Sequence, residues 1–276
     1  ARRRLSAGLG RAGGQTEEAD FYALNVFGTC EITNSSLTVP SERAAVIYNT
    51  SKTLDLTVSG STFGMNQTQP LGADGLEINS YGSSNTTLDI NACTFIQPKT
   101  NGLQVITENT AVTSVNVTGC TFDPGTGLSA AIDFITNNTG NLKFNIVNNP
   151  FIKAKGINVV NIFAFPNRNF EGRVNNNTIT LNGGGSGAGV RVNSQGNANS
   201  KIEIKNNTIT GGDDYGITAI ASGGSGRLDA TITGNTVSLT NSGFYGIHTA
   251  AGVSSSTFTN KVCANVANNN TNGVPA

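Results

Sequence analysis

The sequence is poor in the residues that bind nucleic acid or cross membranes. It has no Trp, one Met and one His, and charged residues make up 12% of its 276 positions. The 17 basic and 17 acidic side chains cancel, which argues against attachment to nucleic acid or an anionic membrane by bulk charge. The longest apolar stretch, 159–165, is interrupted by Asn161 and is far shorter than the roughly 20 residues of a membrane helix. We therefore expect no nucleic-acid partner and no membrane insertion.

Metal-binding patterns are also missing. The four cysteines Cys30, Cys93, Cys120 and Cys263 contain no CxxC pair, and one histidine is too few for the usual zinc sites. We expect no metal site and no cofactor. Cys30 falls on an apolar position and is expected to be buried and unreactive.

Three residue types dominate instead: 37 Asn, 34 Thr and 34 Gly account for 105 of the 276 residues. All three rank low in helix propensity, so a helical protein is excluded. Disorder is equally disfavoured, because Ile, Val, Leu and Phe recur in short alternating runs.

Two motifs alternate along the chain with one period of about 29 residues. The first is a strand followed by a polar turn and a closing apolar residue; these closing residues are Leu37, Phe63, Phe95, Phe122, Phe151, Ile179, Ile209 and Val237. The second is a small residue followed by an apolar-x-apolar triplet, as in Gly75-Leu-Glu-Ile78 and Gly189-Val-Arg-Val192. A constant period of short strands predicts a stacked solenoid, because one coil cannot bury its apolar face alone.

The pattern resembles the right-handed parallel β-helix of the pectate-lyase-like superfamily over roughly residues 25–267. This resemblance implies an all-β solenoid of about nine coils, with residues 25–276 as one domain and residues 1–24 as a cap, a linker or the end of a preceding segment. A polar column lies two residues before the closing position. Asparagine in this column resembles the inward asparagine ladder of that superfamily, which lies at the tight turn between two strands, where αL geometry suits asparagine. Its members are Ser35, Ser61, Cys93, Cys120, Asn149, Asn177, Asn207 and Asn235. A β-sandwich is the alternative fold, although it needs no constant repeat.

One outward position of the second motif forms a candidate binding face. The resembling enzymes place their polysaccharide groove on this strand, whereas a solvated polar face would look the same. The members of this predicted row are Glu77, Gln104, Asp133, Asn158, Arg191, Thr218 and His248.

Two constellations could carry catalysis. Asp213 and Asp214 resemble the paired aspartates of polygalacturonase-type glycosidases, which would act with Arg191 and His248, but two of that family's three companion motifs are missing. A polar turn is the alternative reading. A pectate-type lyase would use Asp74, Glu77 and Asp133 for calcium with Arg191 as the base, yet Arg191 stands two coils, about 10 Å, from Asp133.

The next outward position is apolar in three consecutive coils. Ile106, Ile135 and Val160 are predicted to lie outside, beside Phe163 and Phe165, under a long loop or at a contact surface.

Cys93 and Cys120 occupy one column about 4.8 Å apart, so they form either a disulfide or a pair of stacked thiols.

The sequence favours a secreted or surface-exposed structural or adhesive β-helix. Its expected partners are itself, end to end or laterally, or another surface protein, with carbohydrate as a further ligand. A polysaccharide-degrading hydrolase or lyase of the pectate-lyase-like class is the alternative.

Overall fold

The computed structural model describes residues 3–4, 19–38, 43–64, 74–96, 100–123, 130–155, 158–182, 187–212, 214–240, 245–252 and 261–272. Within these ranges every regular element is a β-strand, and all strand pairs are parallel. No described residues form a helix able to cross a membrane. The protein is a parallel β-solenoid with three sheets.

The first sheet has ten strands. They are β1 (Arg3–Arg4), β3 (Gly28–Thr33), β6 (Thr53–Ser59), β9 (Asn85–Asn91), β12 (Val112–Thr118), β15 (Asn141–Val147), β18 (Asn169–Asn175), β21 (Asn199–Lys205), β24 (Arg227–Thr233) and β27 (Lys261–Ala267).

The second sheet has nine strands. They are β2 (Ala19–Leu24), β5 (Arg43–Asn49), β8 (Leu76–Ser80), β11 (Leu103–Thr107), β14 (Ile132–Thr136), β17 (Asn158–Ala164), β20 (Ala188–Gln195), β23 (Tyr215–Ser222) and β26 (Ile247–Ala251).

The third sheet has eight short strands. They are β4 (Ser36–Leu37), β7 (Thr62–Gly64), β10 (Thr94–Ile96), β13 (Thr121–Asp123), β16 (Phe151–Ala154), β19 (Thr178–Leu181), β22 (Thr208–Gly211) and β25 (Thr236–Ser238).

The strand register confirms the predicted repeat. Successive inward positions such as Val115, Phe144 and Gly172 pair directly, at separations of 29 and 28 residues. Eight strands in the third sheet are separated by seven full turns, so the expected nine coils are too many. Strand β2 pairs with β5, which places solenoid strands before residue 25.

Each turn from the first sheet to the third consists of an αL residue followed by a ladder residue. The sequence pattern predicted αL geometry for the ladder asparagine itself. In the structure the residue before it has this conformation; Asn176, for example, has φ 56° and precedes Asn177. In one coil Pro150 adds a third residue to this turn. As a result Ile152, not Phe151, pairs with Phe122 in the closing apolar column.

The ladder of buried asparagines crosses the coils without a break from Asn149 onward. The Asn149 backbone N–H and Nδ2 both donate to Asn177 Oδ1, at 3.0 and 2.9 Å. Asn177 Nδ2 donates to the Ile146 carbonyl of the preceding coil, at 2.9 Å. The same pattern continues through Asn207 and Asn235 to Asn269, a ladder member that the repeat did not reveal.

Cys93 and Cys120 fill the same ladder positions as free thiols. The Cys93 backbone N–H lies 3.4 Å from Cys120 Sγ, and the Cys93 thiol donates to the Val58 carbonyl, as Ser61 does to Ile32. The hydrogen bond to Cys93 and burial both raise the pKa of the Cys120 thiol, which disfavours the reactive thiolate.

A thiol titration shows whether Cys93 and Cys120 are free thiols or form a disulfide. Cys263 is exposed whereas Cys30, Cys93 and Cys120 are buried. We expect one thiol to react rapidly with a disulfide reagent in the native protein, and all four to react in denaturant. Only two reactive thiols in denaturant would show that Cys93 and Cys120 form a disulfide in solution.

Candidate functional site

The outer face of the nine-stranded sheet carries a row of polar residues in register. Gln104 pairs with Glu77 on one side and Asp133 on the other, and Arg191 pairs with Thr218, which pairs with His248. The prediction for Asn158 is wrong, because Asp133 pairs with Asn161, which pairs with Arg191. The polar row is therefore Glu77, Gln104, Asp133, Asn161, Arg191, Thr218 and His248.

Glu77 is buried on this outer face because charged and amide groups surround it. Arg43 Nε lies 2.7 Å from Glu77 Oε2, and Asn79 Nδ2 donates to Glu77 Oε1 at 2.6 Å. Tyr81 Oη in turn donates to Asn79 Oδ1 at 3.2 Å. Neither the repeat nor the composition identified Arg43, which lies at the start of β5 outside the aligned triplets. The carboxylate of Glu77 is fixed by this network.

Asp133 lies two strands further along the same row and has a different environment. Gln104 Nε2 donates to Asp133 Oδ2 at 3.0 Å, and Asn161 Nδ2 donates to Oδ1 at 2.8 Å. Burial raises the pKa of Asp133, while these two hydrogen bonds and the Arg191 charge lower it. Burial prevails, so Asp133 holds its proton to a higher pH than an exposed aspartate.

The raised pKa of Asp133 makes a pH-dependent contribution to stability. The unfolded chain binds this proton with a pKa of about 3.9, and the folded protein binds it more tightly. The favourable contribution is complete below about pH 3.9 and is lost as the pH rises through the folded-state pKa. We expect Asp133→Asn to gain stability relative to wild type as the pH is raised from about 4 toward neutrality. Urea unfolding at a series of pH values measures this, with the exposed Asp89→Asn as control; parallel trends in both variants would contradict the role of burial.

The two carboxylates are separated along the solenoid axis. Glu77 and Asp133 lie two coils apart, which corresponds to about 10 Å, with Gln104 between them. Arg191 lies two coils beyond Asp133, as the sequence indicated. Among the described residues no cluster of acidic, cysteine or histidine side chains has the geometry of a metal site.

The candidate catalytic residues of the C-terminal coils are not brought together in the described ranges. Asp213 lies outside the described residues, and Asp214 is buried just before β23. Arg191 and His248 are two coils apart in the polar row. His248 instead stacks on Tyr215 and Tyr245, with ring centroids at 5.2 and 5.8 Å.

The apolar outward row also differs from the prediction in one coil. Ile106 pairs with Ile135, and Ile135 pairs with Phe163, so Phe163 holds the outward position that was assigned to Val160. Val160 points inward and is fully buried in the core. The Phe163 ring contacts the exposed Phe165 edge to face at 4.8 Å. Three residues of the patch are only half-buried, so they expose less apolar surface than a fully outward row would; they are Ile106, Ile135 and Phe163.

Comparison with family models, with curated proteins and with solved structures finds no match to this chain.

Proposed function

We propose that this protein is an extracellular structural or adhesive β-helix that associates end to end with further copies of itself. The supporting observation is an exposed core at the C-terminal end of the solenoid. Val266 pairs with Ile232 in an inward column whose other members are buried, yet Val266 is 41% exposed. Strand β27 is the last strand of its sheet among the described residues.

An exposed strand edge with an apolar interior favours addition of another strand. Its free N–H and C=O groups would pair with an incoming strand, while the inward side chains would continue the core. At the opposite end the inward residues of the outermost strand β2, Phe21 and Ala23, are half-buried, whereas their partners in β5 are fully buried. Core side chains are therefore partly exposed at both ends of the described solenoid, where a second copy would continue the core.

Association can be tested with a charge placed at this end. We expect the sedimentation coefficient of the wild type to rise with concentration, and Val266→Asp to weaken association at least tenfold, because the buried carboxylate would oppose the contact. Val112→Asp is the matched control, since Val112 is 40% exposed in β12, in the middle of the ten-stranded sheet. Isolated rods at all concentrations, or an equal effect of both variants, would refute the proposal.

The raised pKa of Asp133 favours a second candidate function, cleavage of a polysaccharide by hydrolysis or by β-elimination. The reaction would take place at the polar row on the outer face of the nine-stranded sheet. Because burial raises its pKa, Asp133 keeps its proton to a higher pH than an exposed aspartate, which suits a general acid toward a glycosidic oxygen. A panel of neutral and acidic polysaccharides tests this by release of reducing ends or unsaturated uronate. Activity lost in Asp133→Asn and retained in Asp214→Asn would establish the enzyme, whereas no product from any substrate would eliminate it.

A further inference from the structure

A groove of about 500 Å³ lies on the outer face of the ten-stranded sheet, away from the polar row. It crosses four successive strands, β15, β18, β21 and β24. Its polar lining includes Lys143, Asn145, Glu171, Arg173, Lys201 and Thr231. Nothing in the motif pattern of the sequence pointed to this face.

The floor of the groove depends on a glycine. Gly172 occupies an inward position between Phe144 and Ile202, where a Cβ atom would lie only 2.5 Å from the Phe144 ring. Any larger residue would push the Phe144 ring or the strand out of place.

Two of the three acids in the groove are neutralised by neighbouring cations. Lys205 Nζ lies 2.5 Å from Glu203 Oε2, and Arg227 Nε lies 2.5 Å from Asp229 Oδ1. The hydrogen bonds from Lys205 and Asn175 hold the pKa of Glu203 below its usual range. At neutral pH both pairs contribute no net charge.

Three cations remain against one acid. Lys143, Glu171 and Lys201 form one outward column on consecutive strands, and Arg173 lies in the neighbouring column. Within the described ranges, none of these four side chains forms an ion pair. The lining itself holds three cations and three acids. With Lys205 and Arg227, which neutralise two of these acids from beside the groove, the local net charge is +2, in a chain whose formal charge is zero.

The arrangement of these cations matches an extended anionic chain. Lys143 and Lys201 are two coils apart, about 10 Å along the solenoid axis, with Arg173 between them in the axial direction. Asn145 and Thr231 add neutral hydrogen-bonding groups of the kind that meet hydroxyls. The only aromatic lining residue, Phe144, is buried, so the groove offers no platform for stacking nucleic-acid bases.

We propose that this groove binds an acidic polysaccharide, with Lys143, Arg173 and Lys201 contacting its carboxylate or sulfate groups. This inference rests on the adhesive role proposed above and supplies its ligand. Glu171 separates the two lysines and disfavours a densely charged polyanion, so an acidic group at alternate positions of the chain fits best.

Direct binding measurements test the groove. The probes are a sulfated glycosaminoglycan, polygalacturonate, a neutral glucan and a duplex DNA, each titrated into the whole protein. The variant Lys143→Gln/Arg173→Gln/Lys201→Gln removes the three cations, and Lys52→Gln/Lys153→Gln/Lys155→Gln removes three cations elsewhere as the charge-matched control. We expect the groove variant to lose at least tenfold in affinity for one or both acidic glycans, the control to lose less than threefold, and binding to weaken with salt.

Each alternative outcome is informative. Preference for the sulfated or the carboxylated glycan identifies the anion and supports the proposal. Equal losses in both variants, equal binding of the neutral glucan, tighter binding of DNA, or a side-by-side dimer that only the groove variant loses would overturn it. Thermal unfolding of both variants checks that they fold, and sedimentation of the groove variant measures end-to-end association separately. Loss of glycan binding with association intact, or the reverse, tells the two proposals apart.

Discussion

Asn177→Ala is expected to lower the free energy of unfolding by about 3 kcal/mol or more, because the change orphans several buried polar groups at once. Asn177 Oδ1 accepts the backbone N–H and the Nδ2 of Asn149. Its Nδ2 donates to the Ile146 carbonyl and to Asn207 Oδ1. An alanine leaves the Asn149 N–H and the Ile146 carbonyl buried without these partners.

The matched control is a short row of hydrogen-bonded side chains on the outer face of the ten-stranded sheet. Asn116 Nδ2 donates to Asp89 Oδ1 at 2.7 Å and Asn116 accepts from Asn145, but these side chains are within reach of solvent. We expect Asn116→Ala to cost less than about 1 kcal/mol, because its partners return to water. Urea unfolding followed by circular dichroism measures both variants. Equal costs would mean that the inward ladder is not a special source of stability.

The repeat could be predicted because side-chain alternation and turn chemistry act locally. Phe63, Phe95 and Phe122 recur at the closing position, and the structure pairs them directly. The polar column was visible for the same reason, since each of its members follows an αL residue in the turn between two strands. Serine, cysteine and asparagine share this column because each side chain can donate to a carbonyl of the preceding coil.

The prediction failed where one coil departs from the common length. Pro150 adds a residue to the turn, so the closing apolar residue moves from Phe151 to Ile152. The following strand is almost continuously apolar and has no clear alternation, so the small residue Gly156 indicated a register three positions too early. Asn158 and Val160 were misplaced for this reason, and the register that brings Asn161 beside Asp133 became visible only through strand pairing.

The candidate surfaces could not be predicted from composition. They depend on which residues of different coils become neighbours, and composition does not contain that information. A formal charge of zero argued only against attachment to nucleic acid or a membrane by bulk charge. The strands instead gather Lys143, Arg173 and Lys201 on adjacent coils of one sheet. Likewise, Arg43 and Glu77 are 34 positions apart in the sequence and meet only because their strands are neighbours.

Phe95→Ala is expected to cost about 3–5 kcal/mol, since it opens a cavity in the middle of a stack of buried rings. The Phe95 ring lies 5.3 Å from that of Phe63 and 4.5 Å from that of Phe122, in nearly parallel planes. All three rings are buried, so the coils on either side cannot fill the space without moving their backbones.

Because each coil of a solenoid contacts only its neighbours, the effect should also change how the protein unfolds. The coils before Phe95 lose part of the packing that joins them to the rest of the core and are expected to unfold first. This gives a second, earlier transition in denaturant that is absent from the wild type. Phe165→Ala is the control, because its ring lies 43% exposed on the outer face, and we expect it to cost less than about 1 kcal/mol. A single transition shifted equally in both variants would contradict a core built from stacked, separable coils.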